Sequence, residues 1–261
     1  MPHHSDAGSY FVPTTHHDTY PAIDPTKADL SGKVVLVTGA SRGIGKTIAV
    51  AFTQAGASGL VLLARGDTEA VEAACLAAQR PGQSVMILPL AVDITNQTQV
   101  VMRPGSDPVD WWKVWEVNIR GTYNVSQAFI PLLIDCGGGK LIVSILAHQS
   151  MPALSTYQSS KFVVVRVTES IVADYGPQGI IAFAVHPCGT PTDMNAHVPP
   201  EIKKPFIDTP ELAAHTMVWL VRERREWLSA RYVSCEWDVE ELLAKKEDII
   251  EGDKLKFRMI V

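Results

Sequence analysis

"KVVLVTGASRGIG", Lys33 to Gly45, decides the fold. Val34 to Val37 form a continuous apolar run, the pattern of a parallel strand covered on both faces. Gly39, Gly43 and Gly45 follow, and Gly43 to Ala55 reads as a helix that Gly56 stops. Glycines at a strand-to-helix turn let the chain reverse tightly and let its backbone approach a pyrophosphate at the helix N-terminus. The spacing Gly-x3-Gly-x-Gly is one residue wider than the commonest dinucleotide fingerprint, and a purely structural turn would carry the same glycines.

The pattern repeats outward from that turn. "GLVLLAR" (Gly59 to Arg65) is a second buried strand, and Asp67 caps a helix that runs to about Arg80 and ends at Pro81-Gly82. "SVMILPLAVD" gives a third strand ending near Asp93. Further on, a helix from Asp107-Pro108 to Leu133 is closed by Gly137 to Gly139, and "KLIVSIL" is a strand. A helix over Ala153 to Tyr175 and a strand over Ile180 to Val185 come next. A Pro-rich loop (His186 to Pro210), a helix from Glu211, a strand near Tyr232 to Ser234 and a polar tail complete the chain. Such alternation predicts an α/β fold, a doubly wound parallel sheet in a single domain over residues 31–261. Residues 1–30, rich in His, Pro, Thr and Asp, read as a partly mobile extension. Its His3/His4 and His16/His17 pairs lack a third ligand, so no metal is expected.

With 23 basic and 28 acidic residues the formal charge is −5, which argues against nucleic acid or an anionic membrane as partner. Cys75, Cys136, Cys188 and Cys235 lie far apart, without metal-like spacing, and read as reduced thiols of a cytoplasmic protein. No basic segment followed by an apolar run opens the chain. Leu141 to Ser160 has no formal charge, but His148, Gln149 and Pro152 favour a buried strand and loop over a membrane span.

Chemistry-bearing residues punctuate this frame. A carboxylate about twenty positions past the turn selects a free ribose 2′-hydroxyl. Arg65 stands twenty positions after Gly45, and Arg42 lies in the turn itself. Both could be merely solvated surface groups, but two guanidiniums at these sites favour a 2′-phosphate. Tyr157 and Lys161, in "YQSSK", are four residues apart and share one face of a helix. A nearby ammonium favours phenolate, so it lowers the tyrosine pKa and suits it to proton transfer, but the spacing also arises by chance. Ser144 ends a buried strand and Asn118 sits in an apolar helical segment, where a cap and a satisfied core amide are the bland alternatives.

Taken together, these separated motifs make the chain resemble the short-chain dehydrogenase/reductase family over roughly residues 30 to 235. The resemblance implies a Rossmann-like sheet and a nicotinamide cofactor, and the two arginines favour NADP over NAD. Thr38, Gly39, Gly43, Ile44 and Gly45 would hold its diphosphate end, with Ser41 and Arg42 in the same turn. Arg65 would meet the 2′-phosphate, Asp93 the adenine, Thr192 the carboxamide, and Pro187 would border the nicotinamide. Ser144, Tyr157 and Lys161 would be the catalytic triad, with Lys161 also on the nicotinamide ribose and Asn118 holding a relay water. The implied substrate is a small carbonyl or alcohol, and the implied assembly a homo-oligomer through the two long helices.

Two departures from the family stand out. Pro187-Cys188 replaces the usual Pro-Gly, which strains Cys188 if the turn needs a positive φ. Between Asp93 and Asn118 the family carries a further helix and a fourth strand ending in Asn-Asn-Ala-Gly. Here "QTQVVMRPGSDPVDWW" (Gln97 to Trp112) stands instead, short by on the order of 25 residues, one helix-plus-strand unit. The fourth strand is therefore expected to be missing or rudimentary. That leaves, beside an active oxidoreductase, the alternatives of a catalytically impaired protein and a non-catalytic dinucleotide binder.

Overall fold

The computed structural model describes residue 8 and residues 10–93, 108–144, 155–193 and 206–259. The chain divides into two compact units: residues 16–93 with 188–224, and residues 1–15 and 94–187 with 225–261. In chain order the described elements are β1 (Val34–Thr38), α1 (Gly43–Gln54), β2 (Gly59–Ala64), α2 (Glu69–Ala77) and β3 (Met86–Ala91). Then come α3 (Pro108–Trp115), a π-helical turn (Glu116–Arg120), α4 (Gly121–Asp135), β4 (Gly139–Ser144), α5 (Ser155–Tyr175) and β5 (Ile180–His186). The last are α6 (Pro210–Arg222), β6 (Tyr232–Ser234), α7 (Val239–Ala244) and α8 (Lys246–Glu251).

The first unit is a β-α-β-α-β run with strand order β1-β2-β3, all parallel. Val34 lies opposite Gly59, and Gly59 opposite Met86. On one face Val35, Val37, Leu60, Leu62 and Ile87 pack with Phe52 of α1, Val71 of α2 and Val218 of α6. Burial of that face, more than helix propensity, holds the helices here. α1 stops where the glycine in its sequence lets it. Gly56, at φ 88, donates to Thr53 O (2.9 Å) and Ala57 donates to Phe52 O (3.1 Å), closing the helix end with a left-handed residue. Pro89 sits inside β3 opposite Leu62, a position open to a residue without an N–H because β3 ends the described sheet.

The segment expected to be an extension carries buried side chains, among them Ile23, Ala28 and Leu30. Arg80 fixes it: Nη2 donates to the carbonyls of Pro25 (3.2 Å), Thr26 (3.0 Å) and Ala28 (2.8 Å), and Nε to Gln54 O (2.6 Å).

The second unit pairs β4-β5-β6, again parallel, with Ser144 opposite Val185 and Val185 opposite Val233. β5 is buried along its whole length, as a central parallel strand must be. Ile130 of α4 and Ile171 of α5 pack on Ile180 and Ala182. The helix expected from Asp107 to Leu133 is interrupted by the π turn at Glu116–Arg120. The expected polar tail is instead two short helices, with Leu242 and Ile249 fully buried. Asp238 caps the first of them, accepting from the Glu240 and Glu241 amides at 3.0 Å each.

Residues 94–107, which include most of the stretch standing in place of the family's fourth strand, lie outside the described residues. Those described make two sets of three strands.

Candidate active site

In the first unit the glycine turn is built by close approach. Gly39 and Gly43 adopt φ 66 and φ 55, where a side chain is strained. A Cβ on Gly45 would stand 2.2 Å from the Gly39 carbonyl oxygen, so the first turn of α1 is wedged against the end of β1. Ala40 N–H donates to Leu63 O (3.2 Å) and fastens the turn to β2. The first turn of α1 carries no acidic residue, so its positive dipole end is not countered by its own side chains.

Around this turn the expected contact residues fall at the strand ends. Thr38 ends β1 and is exposed, and Arg65 and Asp93 follow β2 and β3, both exposed. Arg42 is exposed and pairs with Asp193 Oδ2 at 3.2 Å. An exposed pair of this kind is worth about 0–1 kcal/mol, so an anion can displace the carboxylate at little cost. Thr192, next to Asp193, comes within 3.7 Å of where a Gly43 Cβ would be. The structure thus gathers Thr192 with the glycine turn.

Cys188 has φ 70, the strained conformation expected of a side chain where the family has glycine. The turn around it is held by a residue that sequence reasoning missed. Asp208, 1% exposed, accepts from Gly189 N–H at 2.6 Å and pairs with His17 Nδ1 at 2.7 Å. Only the buried carboxylate in three dimensions gives this away. His17 lies in the segment whose sequence reads as a partly mobile extension.

The second unit holds the proton-transfer candidates. Tyr157 and Lys161 lie one turn apart on α5, both half-buried, with Lys161 Nζ 5.7 Å from the Tyr157 ring centroid. Burial dominates both groups. It pushes the Tyr157 phenol up to about 12 and the Lys161 ammonium down to about 8. The expected lowering of the tyrosine is therefore not what this structure shows: the ammonium sits over the ring, and loss of water outweighs it.

Asn118 occupies the middle of the π turn and donates from Nδ2 to Ser160 Oγ at 2.9 Å. Ser160 donates in turn to the Tyr157 carbonyl (2.8 Å), and Thr122 Oγ1 donates to the Asn118 carbonyl (2.7 Å). Asn118 therefore ties the π turn to the segment of α5 between Tyr157 and Lys161. A second tie, Thr156 Oγ1 to Trp111 O at 2.9 Å, fixes the start of α5 on α3. π turns recur at functional sites because they re-aim a side chain that regular helix would misplace. Ser144 ends β4, and Pro187 follows β5 directly.

A family model described as short chain dehydrogenase matches residues 33–103 and 99–203. The chain is 40% identical over 287 residues to the short chain dehydrogenase mpl6 of Monascus purpureus, covering 98% of both. Among solved structures it is similar to a 3-oxoacyl-[acyl-carrier protein] reductase from Brucella melitensis, with TM-score 0.69 and 21% identity, over 84% of this chain and 97% of that one. It is also similar to a 7α-hydroxysteroid dehydrogenase complexed with NADH and 7-oxo glycochenodeoxycholic acid, with TM-score 0.69 and 21% identity, over 84% and 97%. These two structures show the Rossmann-like fold. The alignment with the Monascus protein has 287 positions against 261 residues here, so at least 26 of that relative's positions have no counterpart. The family match itself falls in two pieces that meet at residues 99–103.

The displaced pKa values set a pH dependence of stability. Lys161 falls from 10.5 unfolded to about 8 folded, so the unfolded chain holds the extra proton between those values. Stability then rises with pH from about 8. Tyr157, raised from 10.0 to about 12, opposes this only above 10, where the folded chain holds the extra proton. Lys161→Met is expected to melt higher than the wild type at pH 7 and to lose the rise between pH 8 and 10. A variant less stable at pH 7 would show that the lysine is held by a charge partner instead, and an unchanged alkaline rise that another group titrates there.

Proposed function

Because this chain belongs to the short-chain dehydrogenase family, we propose that it is an NADP-preferring oxidoreductase. It moves a hydride between the nicotinamide and a small carbonyl or alcohol substrate. The observation that carries this reading is the half-buried Tyr157–Lys161 pair on one face of α5, braced through Ser160 by Asn118. The glycine turn fits a dinucleotide. Gly45 leaves no room for a side chain, and Gly39 and Gly43 bring backbone alone to the start of α1.

On this reading Thr38, Gly39, Ser41, Gly43, Ile44 and Gly45 hold the diphosphate, and Asp93 the adenine. Arg65 meets the 2′-phosphate, with Arg42 released from Asp193 to join it. Lys161 and Tyr157 reach the nicotinamide ribose, and Pro187 and Thr192 border the nicotinamide and its carboxamide. The bound cofactor supplies the hydride. The protein supplies the proton: Tyr157, protonated at neutral pH by its raised pKa, donates from its hydroxyl to the carbonyl oxygen that Ser144 orients. Alcohol oxidation reverses this transfer. Asn118, bonded to Ser160, serves first to position α5, and its role with a relay water rests on the family resemblance. The reduced cysteines read from the sequence support a cytoplasmic location.

Tyr157→Phe keeps the ring and removes the proton, so carbonyl-dependent NADPH oxidation is expected to fall at least about a hundredfold. Retention of most of the turnover would assign the proton to another group. For the cofactor, one charge-assisted phosphate contact is worth about 1.5–3 kcal/mol, roughly ten- to a hundredfold in affinity. Arg65→Ala is expected to weaken NADPH by that factor and leave NADH nearly unchanged. Equal loss for both cofactors would remove Arg65 from the 2′-phosphate.

A further inference from the structure

The turn after Cys188 is fastened by a residue that the proposed proton transfer does not use. Asp208 grips Gly189 twice: its N–H donates to the Gly189 carbonyl at 3.1 Å, and its Oδ2 accepts from the Gly189 N–H at 2.6 Å. With Cys188 at φ 70, an unrestrained chain would relax towards the backbone that a residue with a side chain prefers. The two bonds oppose that relaxation at the neighbouring residue. The same loop carries Thr192, whose methyl lies 3.7 Å from where a Gly43 Cβ would be.

The carboxylate that grips the loop is itself held from the N-terminal segment. Asp208 is 1% exposed, and its Oδ1 pairs with His17 Nδ1 at 2.7 Å. A carboxylate only accepts hydrogen bonds, so Nδ1 carries the proton of this pair. One oxygen thus serves the loop and the other is fixed by His17, which stops the carboxylate from turning. The segment around His17 is anchored in turn. Its carbonyl accepts from the Thr209 N–H at 2.9 Å, and Asp18 Oδ1 accepts from Thr209 Oγ1 at 2.7 Å. Thr19 Oγ1 meets His215 Nδ1 at 2.6 Å, further along α6. Every residue in this chain of contacts belongs to the first unit, together with the glycine turn.

We propose that His17 and Asp208 are positioning residues for the nicotinamide end of the cofactor. The N-terminal segment, through His17 and then Asp208, sets the Cys188–Thr192 loop against the glycine turn. This rests on the cofactor reading above, in which Thr192 borders the carboxamide. A glycine would take up the positive φ unaided, so the restraint matters because a cysteine stands at position 188.

The test compares NADPH with 2′-phospho-ADP-ribose, which has every part of NADPH except the nicotinamide, by calorimetry on the full chain. Asp208→Ala opens a buried site and risks unfolding, so the principal variant is His17→Ala, at an exposed side chain. His17→Ala is expected to keep a cooperative melt, to bind NADPH roughly tenfold more weakly and to bind 2′-phospho-ADP-ribose within about twofold of the unaltered chain. His17→Asn, whose amide nitrogen can donate from about the place of Nδ1, is expected to restore NADPH affinity to within about twofold. In a Cys188→Gly background, His17→Ala is expected to cost no more than about twofold, because the turn then needs no restraint. The inference is overturned if His17→Ala leaves NADPH affinity unchanged or weakens both ligands equally. It is equally overturned if His17→Asn fails to rescue, or if the loss is the same in the Cys188→Gly background. An unaltered chain that binds neither ligand would overturn the cofactor reading itself, and this inference with it.

Discussion

The approach of Gly45 to the carbonyl of Gly39 is the constraint on which the first unit depends. It brings the start of α1 against the end of β1 more closely than any side chain allows. From that wedge follow the exposed backbone of the turn and the uncountered positive end of α1. The direction in which α1 runs back over Val35, Val37, Leu60 and Leu62 follows as well. The two left-handed glycines are local consequences of the same geometry. At Cys188 the same conformation is imposed on a residue with a side chain, and the Asp208 carboxylate secures the strained turn by holding the next amide.

In the second unit the corresponding constraint is a set of side-chain-to-backbone ties on α5. Asn118 and Thr156 link that helix to the π turn and to α3. The ties matter because proton transfer tolerates little misplacement, and a long helix packed only by apolar contacts can slide or rotate. Burial of Tyr157 and Lys161 then works against both charged forms. A phenol kept protonated suits a donor to a carbonyl better than a base for an alcohol.

Much of this was legible in the sequence, for definable reasons. β1, β2 and β5 are short continuous apolar runs, and the helix stops at Gly56 and Gly137 are marked by glycines whose positive φ the structure shows. The strain at Cys188 followed from comparing one residue with the family's glycine. What could not be read depends on contacts distant in sequence. Asp208 meets His17 across 191 positions, and Arg80 reaches Ala28 across 52, so neither pair has a local pattern. α7 and α8 were missed because their apolar residues are few, although Asp238 followed by Glu240 and Glu241 is a recognisable start. The tyrosine's pKa was misjudged because spacing places a lysine on the same face but does not reveal how much water both groups lose.

On the proposed function the Gly39–Gly45 wedge is a dinucleotide cradle. It is tested most directly by titrating NADPH into Gly45→Ala and the unaltered chain by calorimetry, with thermal melts of both alongside. A methyl group 2.2 Å from a carbonyl oxygen must push the turn open. The predicted result is a cooperative melt in both proteins and an affinity for NADPH at least about tenfold weaker in the variant. Equal affinity, with the variant fully folded, would contradict it.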